Sequence, residues 1–316
     1  MMRASRSVLS GTLLGELALL SFAIVLPWLL TALGEDYYIG FATRLLIYAL
    51  AATSLNFVVG YGGMVAFGHA AFFGGGAYLV ALLMTGGLVS AWASWPLTML
   101  IVALLAWAIG AISLRTRGVY FIMITLAFAQ MIYYSVISLK IAGGDDGLPL
   151  EQRSNLFPFD LGNDISLYWL ALGLLAASLL LLKRLSRSRY GHALAGIRQN
   201  ETRMEALGYP VQQLKLTCFV IGAALAALAG ALLVNQNGMA SPGQLYWTQS
   251  GMLLVMVILG GVGHRYGGVL GAFVLLGLEE ALAQMTEHSH LYIGLILLAV
   301  VLYAPRGLAG LFFKSR

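Results

Sequence analysis

The sequence predicts an all-α fold, a polytopic membrane helical bundle of about ten spans that forms one domain over residues 1–316. Three observations predict it. Hydrophobic residues fill 60% of the positions and charged residues only 10%, where a soluble domain carries about 25% charged residues. Apolar runs recur at lengths close to the roughly 20 residues that cross a bilayer as a helix. The basic residues concentrate in alternate loops between those runs, which is how cytoplasmic loops are marked.

In chain order the runs are Leu13–Leu33, Leu45–Val59, Val65–Met84, Leu97–Leu114, Val119–Leu139, Leu167–Leu182, Leu216–Val234, Met252–Val262, Val269–Ala283 and Leu291–Ala304. The first follows Arg3 and Arg6 and has the outline of a signal peptide. It is too long for one, and no A-x-A site precedes Gly34-Glu35-Asp36, so an uncleaved first span is expected. Gly60-Tyr61-Gly62-Gly63 interrupts apolar sequence ahead of Gly68-His69 and Gly74-Gly75-Gly76, and Gly260-Gly261-Val262-Gly263 does the same before Gly267-Gly268. Such glycine density frees backbone groups, which membrane depth tolerates only inside protein or along a cavity. Broken or re-entrant helices are expected at both tracts, which form a faint internal echo. Gly222, Ala226 and Gly230 repeat at every fourth position, as do Gly267 and Gly271, a spacing that lets helix backbones approach closely.

Charge tests this layout. With the N-terminus inside, 15 of the 18 basic residues fall on the cytoplasmic side, seven of them between Lys183 and Lys215. Lys140 and Arg153 fall outside with Asp145, Asp146, Glu151, Asp160 and Asp164, and Arg44 sits near a boundary. Both termini are therefore expected to be cytoplasmic. The net charge of +5 reflects this sidedness. No basic and aromatic stripe is long enough to grip nucleic acid. Cys218 is the only cysteine, which rules out an internal disulfide and a thiolate metal site.

The longest polar interruption, residues 183–215, is more than a topological marker. Leu194 and Ile197 lie three apart, as do Met204 and Leu207, which is helical spacing. Asn200 suits an N-cap, Glu201 the first turn after it, and Gly208 with Pro210 a helix end. Two short amphipathic helices joined at Gln199–Asn200 are expected, with a small apolar face offered to a cytosolic partner. A solvated loop that only fixes topology fits the same charges.

Little else has the makings of an active site. The four lysines follow Leu139, Leu182, Leu214 and Phe313, so no Gly-Lys-Ser/Thr phosphate loop exists and any ATPase is another chain. His288 and His290 form a lone H-x-H, short of a metal ligand set. His69 either lines a solute path or packs as a satisfied core histidine. Asn56, Thr125 and Gln130 are polar positions on apolar helices that either touch solute or bond across helices. Glu279 and Glu280 lie late in the ninth run, where they meet solvent or a partner.

Several tracts in order carry a resemblance: GYGGMVAFGHAAFFGGGAYLVALL (Gly60–Leu83), RGVYFIMITLAFAQM (Arg117–Met131), AGGDDGL (Ala142–Leu148), YGHALAGIRQNETRMEALGY (Tyr190–Tyr209), LVMVILGGVGHRYGGVLGA (Leu254–Ala272) and YAPRGLAGL (Tyr303–Leu311). Together they resemble the membrane permeases of branched-chain amino acid ABC importers, in the LivM-like branch, and cover nearly the whole chain. The resemblance implies a type II ABC-importer-like bundle in the bacterial cytoplasmic (inner) membrane. It implies four kinds of companion: a second homologous permease, two cytosolic ABC ATPase subunits holding ATP and Mg, a periplasmic or lipid-anchored solute-binding protein, and the bilayer itself. No cofactor is expected on this chain. Residues 183–215 would then be the coupling loop, through Gly191, Ala195, Ile197, Arg198, Asn200, Glu205, Ala206 and Gly208. Glu205-Ala206-Leu207-Gly208 departs from the usual importer pattern of E-A-A, three residues, then G. Asn56, Gly62, Gly63, Met64, His69, Thr125 and Gln130 are the candidate pathway positions. The family usually places a polar residue where Met64 stands, so a path there would be more apolar. The outer loops around Gly143–Leu150 and Ala240–Tyr246 would receive the binding protein.

Similar permeases import urea and short amides, which leaves the solute open between those and branched-chain amino acids. Two further classes compete. A membrane enzyme needs clustered acid–base groups at one face, and the acidic residues here are scattered. An ion-coupled secondary transporter needs paired carboxylates within the membrane, and only Glu279–Glu280 qualify.

Overall fold

A computed structural model describes residues 36–157, 159–285, 288–303 and 307–312, with Val25, Pro27 and Trp28 besides. The expected first span, Leu13–Leu33, lies almost wholly outside these residues. The chain is a helical bundle. Its helices are α1 (Asp36–Asn56), α2 (His69–Thr85), α3 (Ala91–Ser113), α4 (Val119–Ser138), α5 (Asp164–Arg187), α6 (Arg189–Gln199), α7 (Glu201–Ala206), α8 (Val211–Asn237), α9 (Trp247–Gly260), α10 (Gly267–Ala283), α11 (Ser289–Tyr303) and α12 (Gly307–Phe312). Among the described residues, five are long and apolar enough to cross a bilayer alone: α1 with its continuation, α3, α4, α5 and α8.

The loops sort into two ends. One holds Arg117, Arg198, Arg203 and Arg265, and the other holds Asp145, Asp146, Glu151 and Asp160; they are called the basic and the acidic end below. Tyr37 donates to Glu280 Oε1 at 3.0 Å at the acidic end, which joins the start of α1 to the end of α10.

Helix α1 is the axis. Its spanning window is 94% buried, against 17% for α4. It packs against α8, α10, α5 and α9. Lipid tails are as apolar as leucine, so these helices associate by close van der Waals contact rather than by hydrophobic expulsion from water. The spacing of small residues delivers that contact. A Cβ on Gly222 would overlap the Val58 side chain, one on Gly230 the Phe73 carbonyl, and one on Gly76 the Ala227 carbonyl. Helices α9 and α10 close on one another in the same way. A Cβ on Gly260 would overlap the Gly267 carbonyl, and one on Gly271 the Met256 carbonyl.

Three breaks interrupt the regular helices. Helix α1 widens into a π turn over Phe57–Tyr61, and irregular backbone follows until His69. Gly261 and Gly263, both at positive φ, turn the chain between α9 and α10. These two were expected from the glycines. The third was not. Fourteen residues of α9 span only about 21 Å, and the helix starts part-way down the bundle. Gln244 and Leu245 lie against Gly74 in the second turn of α2, and Ser250 Oγ accepts from Ala70 N at 2.8 Å. The apolar run that begins at Met252 conceals this start, since the first turn is Trp247-Thr248-Gln249.

Outside the helices, Leu148–Pro149 (β1) pairs antiparallel with Met239–Ala240 (β2) at the acidic end. Leu150 N donates to Gly238 O at 2.8 Å, so the two outer loops form one surface.

The packing makes a prediction. Gly230→Ala should destabilise the protein by about 1–3 kcal/mol, the usual cost of overpacking. Gly173 has open space around it, so Gly173→Ala should be neutral or gain up to about 1 kcal/mol of helix propensity. Thermal unfolding in detergent compares the two; equal stability would refute the close approach of α8 to α2.

Candidate functional site: the elbow and the glycine node

Residues 188–208 form two short helices, as their spacing predicts. Ser188 leaves α5 in extended conformation and accepts from Gly191 N at 3.4 Å. Gly191 is required by the bend, because a Cβ there would overlap the Leu185 and Ser186 carbonyls. Tyr190 donates to Leu214 O at 3.0 Å, tying α6 to the first turn of α8; burial pushes its phenol well up, which keeps it a neutral donor. Asn200, at φ −157°, ends α6 and caps α7 by accepting from Arg203 N at 2.9 Å. Gly208 at φ +84° stops α7.

The apolar side of this elbow differs from expectation. Leu194, Ile197 and Met204 are buried within the chain itself, and a Cβ on Gly196 would press on Met204 Sδ at 2.9 Å. The apolar spacing is therefore spent on holding the two helices to each other and to the bundle. Exposed on the elbow are, among others, Ala195, Glu205, Ala206, Leu207, Gly208 and Tyr209, while Arg198, itself partly exposed, turns its guanidinium inward.

Ion pairs fix α7 from both sides. Lys215 Nζ lies 2.7 Å from Glu201, and Arg117, in the loop between α3 and α4, lies 3.0 Å from Glu205 and 3.5 Å from Glu201. Arg117 and Glu205 are largely exposed, so that pair contributes at most about 1 kcal/mol. It orients the helix more than it stabilises the fold. Arg117 and Lys215 gave no sequence signal for this role, since Glu205 is 88 residues from Arg117.

Arg198 carries the elbow into the bundle. Its guanidinium Nη1 donates to Gly60 O, in the π turn that ends α1. A Cβ on Gly63 would sit 3.3 Å from Arg198 Cγ, and one on Gly263 would sit 3.0 Å from Arg198 Nη1. The two glycine tracts therefore meet under this one side chain. Asn56 joins them from within: Oδ1 accepts from Gly263 N at 2.9 Å, and Nδ2 donates to His264 O at 2.7 Å. Gly60 admits no side chain, because a Cβ would lie 2.5 Å from Gly263 N and 2.8 Å from Asn56 Oδ1.

The other candidate pathway residues divide by place. Gly62 and Met64 sit beside the node, and a Cβ on Gly62 would lie 2.8 Å from Met64 Cε and 3.0 Å from Cys218 Sγ. Met64 is thus a core side chain here. Gly63 is exposed, with φ +68°. His69 is buried at the start of α2, with Nε2 2.8 Å from Ser54 Oγ. Thr125 Oγ1 accepts from Phe67 N at 3.2 Å and donates to Ile122 O, so α4 and Ser250 together cap α2. Gln130 stands apart, its buried Nε2 without a hydrogen-bond partner.

The node predicts a stability effect. Asn56→Ala leaves a buried N–H and C=O unpaired and should cost about 1–3 kcal/mol, whereas Arg117→Ala should cost under about 1 kcal/mol. Unfolding in detergent with hydrogen exchange at Gly263 measures both, and an Asn56→Ala protein as stable as the parent would contradict the node.

Comparison with known proteins agrees with this architecture. The chain is 29% identical to the high-affinity branched-chain amino acid transport system permease protein LivM of Salmonella typhimurium, over 92% of this chain and 73% of that protein. It is also 29% identical to LivM of Escherichia coli K12 over the same shares. The permease protein LivH of Salmonella typhimurium is 27% identical over 83% of this chain and 91% of its own. No solved structure matches the chain. Residues 37–304, which take in the elbow, the node and all but the last of the described helices, match the family described as the permease component of branched-chain amino acid transport systems, and the chain belongs to it.

Proposed function

We propose that this chain is the translocation subunit of an ATP-driven ABC importer for branched-chain or related small amino acids, worked by alternating access. On this reading the basic end faces the cytoplasm, with both termini, and ATP and Mg bind to separate ATPase subunits. The five long helices, the short α2, α9, α10 and α11, and the run Leu13–Leu33 expected from the sequence would then make up about ten passes of a type II importer bundle. The names of the relatives support the transport class, and the co-occurrence of LivM and LivH among them supports a second permease. The strongly exposed helix α4 offers that subunit a place. The paired outer loops at β1 and β2 offer one surface to a solute-binding protein.

The observation that carries the reading is the elbow. It is held rigidly by its own apolar side, caps and ion pairs, and it exposes Leu207 at 66% and Tyr209 at 47%. A tyrosine exposed among arginines suits a groove on a cytosolic partner. A push on this segment reaches the end of α1 through Arg198 and Gly60. Movement of the elbow therefore acts on the axis of the bundle and on the α9–α10 turn together. Chemistry at the node is not called for: backbone carbonyls, amides and one guanidinium transmit position.

Arg198→Ala and Glu205→Ala should each insert normally and leave ATP hydrolysis by the companion subunits in place, while leucine uptake into proteoliposomes falls about tenfold or more. Glu205→Ala removes the Arg117 contact and should give the smaller loss. Normal uptake by both variants would overturn the coupling role.

A further inference from the structure

Several buried polar side chains in the bundle are satisfied: Thr43, Ser54, Asn56, Thr125, Asn235 and Ser250 all have partners. A group that does not follow this pattern lies where α2, α4 and the entry to α9 come together. Tyr78 OH, Gln130 Nε2, Gln244 Oε1 and Gln249 Nε2 are all buried and have no hydrogen-bond partner among the described residues. Other orphaned polar atoms lie elsewhere: Ser94, Trp95, Thr98 and Ser113 along α3, Thr53 on α1, Gln236 on α8 and His264 in the turn between α9 and α10.

The residues converge for reasons visible in the packing. Gly74 lets Gln244 lie against α2, and Tyr78 is one helical turn further along the same face. Gln130 and Tyr133 are three apart on α4, and Tyr246 and Gln249 are three apart at the start of α9, so each pair shares a face. The Tyr133 and Tyr246 rings join the two faces, with centroids 5.1 Å apart. Tyr78 is 2% exposed and Gln244 8%, so both are more than nine-tenths buried. Nothing in the group is charged. Gln244 belongs to the third, unexpected break, where the backbone of 241–246 descends into the bundle.

Buried polar groups without partners are costly unless something pairs with them. The group holds two amide N–H donors, one amide oxygen and a phenol, so it offers both donors and acceptors and no net charge. We propose that this cluster is a transient solute site for a zwitterionic amino acid. Gln130 and Gln249 would donate to its carboxylate, Gln244 and Tyr78 would accept from its ammonium, and the Tyr133–Tyr246 rings would pack against its apolar side chain. The inference rests on the amino-acid reading above and adds the place of contact. An uncharged wall holds a zwitterion loosely enough to release it, and it rejects lysine and glutamate because a buried net charge there finds no counter-charge.

The test uses the chain co-expressed with its companion subunits and binding protein, reconstituted in proteoliposomes. Leucine uptake, solute-independent ATP hydrolysis and thermal stability are measured for Gln130→Leu, Gln249→Leu and Tyr78→Phe. The site predicts a fall in uptake of about tenfold for either leucine variant and about threefold for Tyr78→Phe. Hydrolysis should be unchanged, and stability unchanged or raised, because an orphaned polar group has been removed. Unchanged uptake in all three would overturn the proposal. So would stability and hydrolysis falling together with uptake, since the groups would then be bonded parts of the core. Tyr78→Phe removes one oxygen and keeps the ring, which guards against misfolding. Failure of the parent assembly to import leucine, isoleucine or valine would instead overturn the amino-acid reading. In that case protection of Gln249→Cys from a small maleimide, in a Cys218→Ser background, decides the site separately: protection by saturating leucine supports it, and equal labelling rates overturn it.

Discussion

A backbone amide or carbonyl within a bilayer has no water to bond to, so each place where a helix breaks must be furnished with partners by the protein. The chain breaks at 57–68, at 241–246 and at 261–266; side chains answer the first and the third, and turns of its own backbone answer the second. Asn56 pairs Gly263 N and His264 O, Thr125 and Ser250 cap the start of α2, and Arg198 takes the Gly60 carbonyl. Three of these partners come from the bundle. The fourth comes from the elbow at the basic end, and on the proposed reading that difference would turn a packing solution into a means of control.

The breaks also explain the glycines. Where backbone meets backbone, as between Gly60 and Gly263 or Gly230 and Phe73, only a residue without Cβ fits. The same economy of side chains leaves α1 almost completely enclosed while α3 and α4 keep exposed apolar faces. An enclosed axis joined to a rigid lever at one end and to α10 at the other, through Tyr37 and Glu280, can pass a displacement along its length. Loosely packed helices could not, because interfaces of this density shift between discrete arrangements rather than deform.

Legibility in the sequence followed the range of the interactions. The second half of the elbow was readable because caps and stops are local: Asn200 and Gly208 act within a few residues of themselves, while the Ser188 cap of α6 emerged only in the structure. The bundle class was readable from apolar runs and charge sidedness. The glycine tracts announced broken helices but not that they meet, since Asn56 and Gly263 are 207 positions apart and Arg198 and Gly60 are 138 apart. The inward turn of Leu194, Ile197 and Met204 was hidden for a related reason. Helical spacing shows that a face is apolar and does not show what covers it. The start of α9 escaped because its first turn is polar and its apolar run begins later, and the β1–β2 pair is too short to leave a pattern. Gln130 was visible as a polar residue on an apolar helix, while Tyr78, Gln244 and Gln249 became notable only through their missing partners.

The central claim is that the elbow drives the bundle through Arg198. Pulsed spin-label distances across the acidic end, between labels at Glu151 and Gln284 in the assembled transporter, test it most directly. The account predicts an ATP-dependent change in that distance which Arg198→Ala abolishes while the ATPases still bind nucleotide. An identical ATP-dependent change with and without the arginine would contradict it.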